Sequence, residues 1–212
     1  MSLLAADYSH CAVIVIDFQN DFILPGSPTE IPGSYAVLPQ IQQLLQTART
    51  QHIPIIHVLR CYLPDGSNVD LCRREQVQKG AAMIAPYSAG ADFPLALKPS
   101  TAPPLDWELL LQGGFQQLGP QEWAMYKSRW GAFFRTDLEK FLREQDVNTL
   151  IFCGCNFPNC PRTSIYEASE RDFRLLLAQD AISGLYEKGV QELSGIGVTI
   201  ADTITICGKL SQ

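Results

Sequence analysis

The sequence predicts an α/β fold: a three-layer α/β/α arrangement around a six-stranded, mainly parallel, Rossmann-like sheet. Two observations lead there. Short, continuous, β-branched apolar runs recur along the chain, as in strands buried on both faces. Stretches with apolar residues at helical spacing alternate with them, as a parallel sheet covered on both sides requires. With 212 residues, against roughly 150 for a typical domain, residues 1–212 read as one domain, long enough to bury a core without staples.

The elements follow in order. Residues 11–16 (CAVIVI) form the first buried strand and end in Asp17. A helix is expected over residues 35–51, where Val37, Leu38, Ile41, Leu44, Leu45 and Ala48 fall near a 3.6-residue period. A second strand at 53–59 completes a β-α-β unit. From 60 to 119, breakers such as Pro64, Gly66, Pro86, Gly90 and the Gly113-Gly114 pair interrupt periodicity. This predicts an irregular excursion with small helices at 69–79 and 105–111, of the kind that forms lids or subunit contacts. Strands at 123–127, 149–153, 174–178 and 203–207 then alternate with helices at 136–145, 161–171 and 190–201.

Composition narrows the function. Sixteen Lys plus Arg against 22 Asp plus Glu give a net charge of −6, which argues against nucleic-acid partners and anionic membrane surfaces. The longest apolar run, six residues, falls far short of the ~20 that a membrane span needs. No basic segment followed by an apolar one opens the chain, so a cytoplasmic location is expected. Seven cysteines, an odd number, cannot all pair, and a reducing compartment opposes disulfides. The three histidines, His10, His52 and His57, limit histidine-based catalysis, and His57 inside a strand reads as a core residue.

In parallel α/β sheets, ligands sit beyond the carboxyl ends of the strands. Asp17, Arg60, Lys127 and the segment 154–160 occupy such ends. Pro161 suits the first helical position, which would make Cys160 the N-cap, where the positive helix end lowers a thiol pKa. A small buried residue is an equally good reading of Cys160 taken alone. Asp17 could take the thiol proton and Lys127 could stabilise both anions. Singly, Asp17 reads as a turn cap and Lys127 as a solvated charge. Together, at three ends of one sheet, they read as a site.

These residues also carry a resemblance. Ile16-Asp17-Phe18-Gln19-Asn20-Asp21-Phe22, Lys127 with Gly131-Ala132-Phe133-Phe134 and Thr136-Asp137-Leu138, Leu150-Ile151-Phe152-Cys153-Gly154 followed by Cys160, and Gln179-Asp180-Ala181 resemble the isochorismatase-like cysteine hydrolases. That family includes nicotinamidases, N-carbamoylsarcosine amidases and ureidoacrylate amidohydrolases. The resemblance implies a catalytic triad of Asp17, Lys127 and Cys160, and a cis peptide between Cys155 and Asn156. It further implies an oxyanion hole from the backbone N–H groups of Asn156 and Cys160, a thioester intermediate on Cys160, and a homo-oligomer, dimer or larger.

The chain also departs from the family. Residues 60–68 lack the histidines of the nicotinamidase metal motif. Cys153, Cys155 and Cys160 contain no C-x-x-C pair, so neither metal nor cofactor is expected. The bulky loop Asn156-Phe157-Pro158 implies a differently shaped pocket. Candidate pocket residues are Gln19, Phe22, Arg60, Tyr62, Trp130, Phe157 and Arg162. Arg60 or Arg162 could hold a substrate carboxylate, or equally pair with an acidic residue. The expected function is hydrolysis of an amide, carbamoyl or ureido C–N bond in a small molecule. The alternatives are a catalytically weak binding or assembly protein and a thiol-redox protein using the crowded cysteines.

Overall fold

The computed structural model describes residues 3–212. Its sheet contains β1 (Cys11–Ile16), β2 (Ile55–Leu59), β3 (Phe115–Gly119), β4 (Glu122–Tyr126), β5 (Thr149–Gly154), β6 (Arg174–Ile182) and β7 (Thr199–Ala201). The strand order is β3-β4-β2-β1-β5-β6-β7, parallel throughout except for the β3–β4 hairpin at one edge. The α/β sandwich predicted from the sequence is therefore present, with seven strands where six were expected. Around the sheet lie α1 (Asn20–Ile23), α2 (Leu38–Thr50), α3 (Leu71–Gln78), α4 (Trp107–Leu111), α5 (Leu138–Glu144), α6 (Cys160–Ser169), α7 (Glu187–Gly195) and α8 (Thr203–Leu210).

β1 is central and buried along its whole length, so its residues alternate between two apolar layers. Val13 and Val15, with Ile55, Leu59, Ile151 and Leu176, pack under α2 and α8 through Ile41, Leu44, Leu45, Ile206 and Leu210. Ala12, Ile14 and Ile16, with Ile56, Val58, Leu150 and Phe152, pack under α5, α6 and α7 through Leu138, Leu142, Ile165 and Leu193.

Two expectations are corrected. The β-branched stretch 203–207 is the start of α8, and the last strand lies earlier, at Thr199–Ala201. Asp180 caps this helix, its Oδ1 accepting from the Thr203 backbone N–H at 2.8 Å and the Thr203 hydroxyl at 2.7 Å. Buried Thr203, Ile206, Cys207 and Leu210 then fall at helical spacing. β3 lay within the predicted irregular excursion, because Gln116 and Gln117 give a half-exposed edge strand little apolar signal.

The register brings the strand ends together. Asp17 N–H donates to Val58 O, Lys127 N–H to Leu59 O, and Cys155 N–H to Ile16 O, each at 2.9 Å. Gly154 has φ +118°, and a Cβ there would lie 2.2 Å from Ile16 O. Only glycine lets β5 pass this close to the end of β1.

Candidate active site

Asp17 leaves β1 in the left-handed region, at φ +50°, a conformation that asparagine and aspartate tolerate better than other residues with a side chain. Its backbone carbonyl accepts from Gln19 N–H at 2.8 Å and from the Cys155 thiol at 3.0 Å. Lys127, one residue past β4, donates from Nζ to Asp17 Oδ2 at 2.9 Å and to Arg129 O at 3.2 Å. The side chains of this pair are 0% and 5% exposed. Asp17 Oδ1 is buried and has no hydrogen-bond partner.

Cys160 is the first residue of α6, with Asn159 as the cap and Pro161 in the first turn. The cap expected at Cys160 is thus one residue earlier. The expected fall in the thiol pKa is also reversed: burial, reinforced by the negative charge of Asp17, pushes it up to about 12 against the pull of Lys127 and Arg60. Removing a charge from water outweighs the favourable helix end. Cys155 is pushed up too, by burial and then by Asp17, so the helix-start cysteine is the thiol beside two cations. All seven cysteines are free thiols, and Cys72 is exposed.

Asp17, Cys155, Asn156, Asn159, Cys160, Phe22, Ile31, Arg60, Tyr62 and Arg73 line one small pocket of about 20 Å³. That is room for about one water molecule. Phe22, Arg60 and Tyr62 thus lie where the sequence placed them. Gln19 does not line it: its side-chain amide accepts from Arg60 N–H at 2.7 Å and donates to Arg60 O at 2.7 Å and Ala91 O at 2.6 Å. It is a clasp between the end of β2 and the excursion. Phe157 is fully buried against Tyr186, and Trp130 lies in a separate recess beside Phe134. Arg162 is engaged by Glu192 and the Tyr186 hydroxyl, each at 2.6 Å.

The expected cis bond is absent. No cis peptide occurs among the described residues, so Cys155–Asn156 is trans, the form favoured by about 3–4 kcal/mol for a non-proline residue. The turn out of β5 is made instead by the positive φ of Gly154 and by Phe157 N–H donating to Ser183 O at 2.8 Å.

Arg60 directly follows β2 and is 1% exposed. Its Nη2 donates to Asp70 Oδ2 at 2.6 Å and to the Tyr62 hydroxyl at 3.2 Å. Arg73 approaches the same carboxylate oxygen at 3.5 Å. Burial alone would raise the Asp70 pKa, but the two arginines hold it below its usual value. Asp70 and Arg73 escaped sequence reasoning because they lie in the aperiodic excursion; an Asp before a short helix is an ordinary cap signal. His57 is buried in β2 with Nε2 2.7 Å from Glu122 Oε1, as expected for a core histidine. Among the described residues no group of three or more His, Cys, Asp or Glu is placed to hold a metal, and no helix is long and apolar enough to cross a membrane.

Comparison with known proteins agrees with the fold. A family model described as the isochorismatase domain matches residues 11–204. A probable inactive nicotinamidase from Arabidopsis thaliana is 26% identical, over 92% of this chain and 93% of its own. The N-carbamoylsarcosine amidase of an Arthrobacter species is 26% identical, over 81% of this chain and 58% of its own. The crystal structure of an isochorismatase family protein from Desulfovibrio vulgaris, 27% identical, superposes with a TM-score of 0.81 over 96% of this chain and 99% of that one. With the family model matching residues 11–204 and the fold superposing on that solved structure, the chain belongs to the isochorismatase family.

Proposed function

We propose that the protein hydrolyses an amide, carbamoyl or ureido C–N bond of a small molecule through a thioester on Cys160. The observation that carries this reading is the unpartnered Oδ1 of Asp17. Lys127 occupies the other carboxylate oxygen, leaving one basic oxygen in the pocket that Cys160 also lines. Because the resting thiol is protonated, proton transfer to Asp17 accompanies attack rather than preceding it.

In the proposed sequence, Asp17 takes the Cys160 proton while sulfur bonds to the substrate carbonyl carbon. The backbone N–H of Cys160, at the start of α6 on the pocket wall, receives the oxyanion. The C–N bond breaks, and Asp17 gives the proton to the departing nitrogen. Water then attacks the thioester and passes a proton to Asp17. The C–S bond breaks, and Asp17 returns the proton to sulfur, releasing the acid. The amidase name of the Arthrobacter relative supports the bond type.

The test is ammonia release from a panel of simple amides, carbamoyl compounds and ureido acids. Release from at least one, lost in Cys160→Ala and Asp17→Asn, is the expected result. Equal release by wild type and Cys160→Ala overturns the reading. The raised thiol pKa favours a second reading, a binding protein of low activity, which would retain panel compounds without turning them over.

A further inference from the structure

We propose that an apolar recess beyond Tyr62 is a subsite for the acyl part of the substrate, taking an uncharged alkyl or phenyl group of about six carbons joined to the carbonyl that meets Cys160. The first support is room. The pocket at Cys160 holds about 20 Å³, too little for an amide beyond its reacting atoms. Tyr62 is also a wall of a second cavity, of about 160 Å³, shared with Val77, Gly80, Ala81, Ala82 and Met83. Among the described residues no charged side chain lines it. An apolar cavity of about 150 Å³ accepts benzene.

The second support is how the wall is made. The chain runs Gly80-Ala81-Ala82-Met83-Ile84-Ala85, and its small side chains leave space that larger apolar ones would fill. Ile84 is fully buried at φ +39°, a strained conformation for a β-branched residue. It is fixed from two sides: its N–H donates to Asp21 Oδ2 at 2.6 Å, and its carbonyl accepts from Tyr62 N–H at 3.2 Å. Strain of this kind persists only where the surroundings enforce it, and it collects at ligand clamps. The recess is thus braced against α1, which begins at Asn20, just after Asp17.

The third support is the partition. Tyr62 lines both cavities. Its hydroxyl accepts from Arg60 Nη2 and Arg73 Nη1, each at 3.2 Å, and donates to Asp70 Oδ2 at 3.3 Å. All three lie at the long end of the hydrogen-bond range, so the ring is held by a latch that yields. When it turns aside the two cavities join, and a carbonyl at Cys160 and an apolar group against Val77 and Met83 share one space.

This inference rests on Cys160 and Asp17 forming the reactive pocket, but its first test does not need turnover. Methyl ketones match amides in shape and have no C–N bond to break. Methyl pentyl ketone at millimolar concentration is expected to raise Tm of the intact protein by a few degrees, and acetone not to. Ala82 is exposed, so Ala82→Leu fills the recess without disturbing the core and should abolish the shift. Equal shifts from both ketones in wild type, no shift from either, or a shift that survives in both Ala82→Leu and Ala81→Leu overturns the proposal. In the kinetic arm, kcat/KM for straight-chain amides should rise about fourfold per methylene from acetamide to hexanamide, and Ala82→Leu should cut the hexanamide-to-acetamide ratio by about tenfold. Tyr62→Phe keeps the ring and removes the latch; it should favour hexanamide over acetamide further, and an equal change for both overturns the latch. A ratio near one in wild type overturns the subsite while leaving the hydrolase reading standing. Ketone binding without hydrolysis of any amide overturns the hydrolase reading alone.

Discussion

Lys127 Nζ and Asp17 Oδ2 are 2.9 Å apart at the carboxyl ends of β4 and β1, with neither side chain reaching solvent to any useful extent. A buried pair of this kind is costly to break from one side, because the remaining charge is stranded. Lys127→Met is therefore expected to lower unfolding free energy by about 3–5 kcal/mol. Lys127→Met combined with Asp17→Asn should recover much of that loss, since no buried charge is left alone. Urea unfolding of the three variants, closed as a double-mutant cycle, reads the coupling; additive losses would contradict it.

The raised thiols set an alkaline limit. A thiol whose pKa rises from about 9 in the unfolded chain to about 12 in the folded one keeps its proton more tightly when folded. Its contribution is fully present below pH 9 and is lost as pH climbs toward 12. Cys11, Cys61 and Cys160 all behave this way, burial being the first cause in each. Stability measured between pH 9 and 11 should fall with a slope that Cys160→Ala reduces by about 1.4 kcal/mol per pH unit. An unchanged slope would show that Cys160 keeps an ordinary pKa.

Alkylation gives a complementary reading. At pH 7 iodoacetamide should modify exposed Cys72 before buried Cys160, since the thiolate is the reactive form. The negative charge of Asp17 raises the Cys160 pKa and Lys127 lowers it. Asp17→Asn should therefore speed Cys160 labelling at pH 9, and Lys127→Met should slow it. Mass spectrometry of tryptic peptides follows both cysteines at once; the opposite order of rates would reverse the electrostatic assignment.

Gly154→Ala tests the approach of β5 to β1. The new methyl would lie 2.2 Å from Ile16 O on a backbone at φ +118°. Strain and overpacking together should cost at least about 2 kcal/mol. Thermal unfolding measures this, and a neutral substitution would mean that the strand ends part easily.

Much of the site was legible because a parallel sheet turns sequence position into spatial position. Asp17, Arg60, Lys127 and Cys160 each follow a strand, and neighbouring strands place them side by side. The same logic could not reach Asp70 and Arg73, which arrive from the excursion through tertiary packing with no periodic signal. Nor could it fix the sign of the Cys160 pKa shift, because a helix start is visible in sequence whereas the depth of burial is not. The stretch 203–207 failed for another reason: five β-branched or apolar residues suit either a strand or a buried helix, and Asp180, more than twenty residues away, decides between them.

The clasp made by Gln19 bears on how the protein reaches its native state. Its side chain joins residues 41 and 72 positions further along the chain, and closing such loops costs entropy before any contact repays it. Contacts of high sequence separation slow folding. Arg60 thus acquires its fixed place only once β2 and the far side of the excursion have both docked. Refolding followed by protection of the buried Cys160 thiol from alkylation should lag behind refolding followed by circular dichroism, the pocket being among the last parts of the molecule to exist.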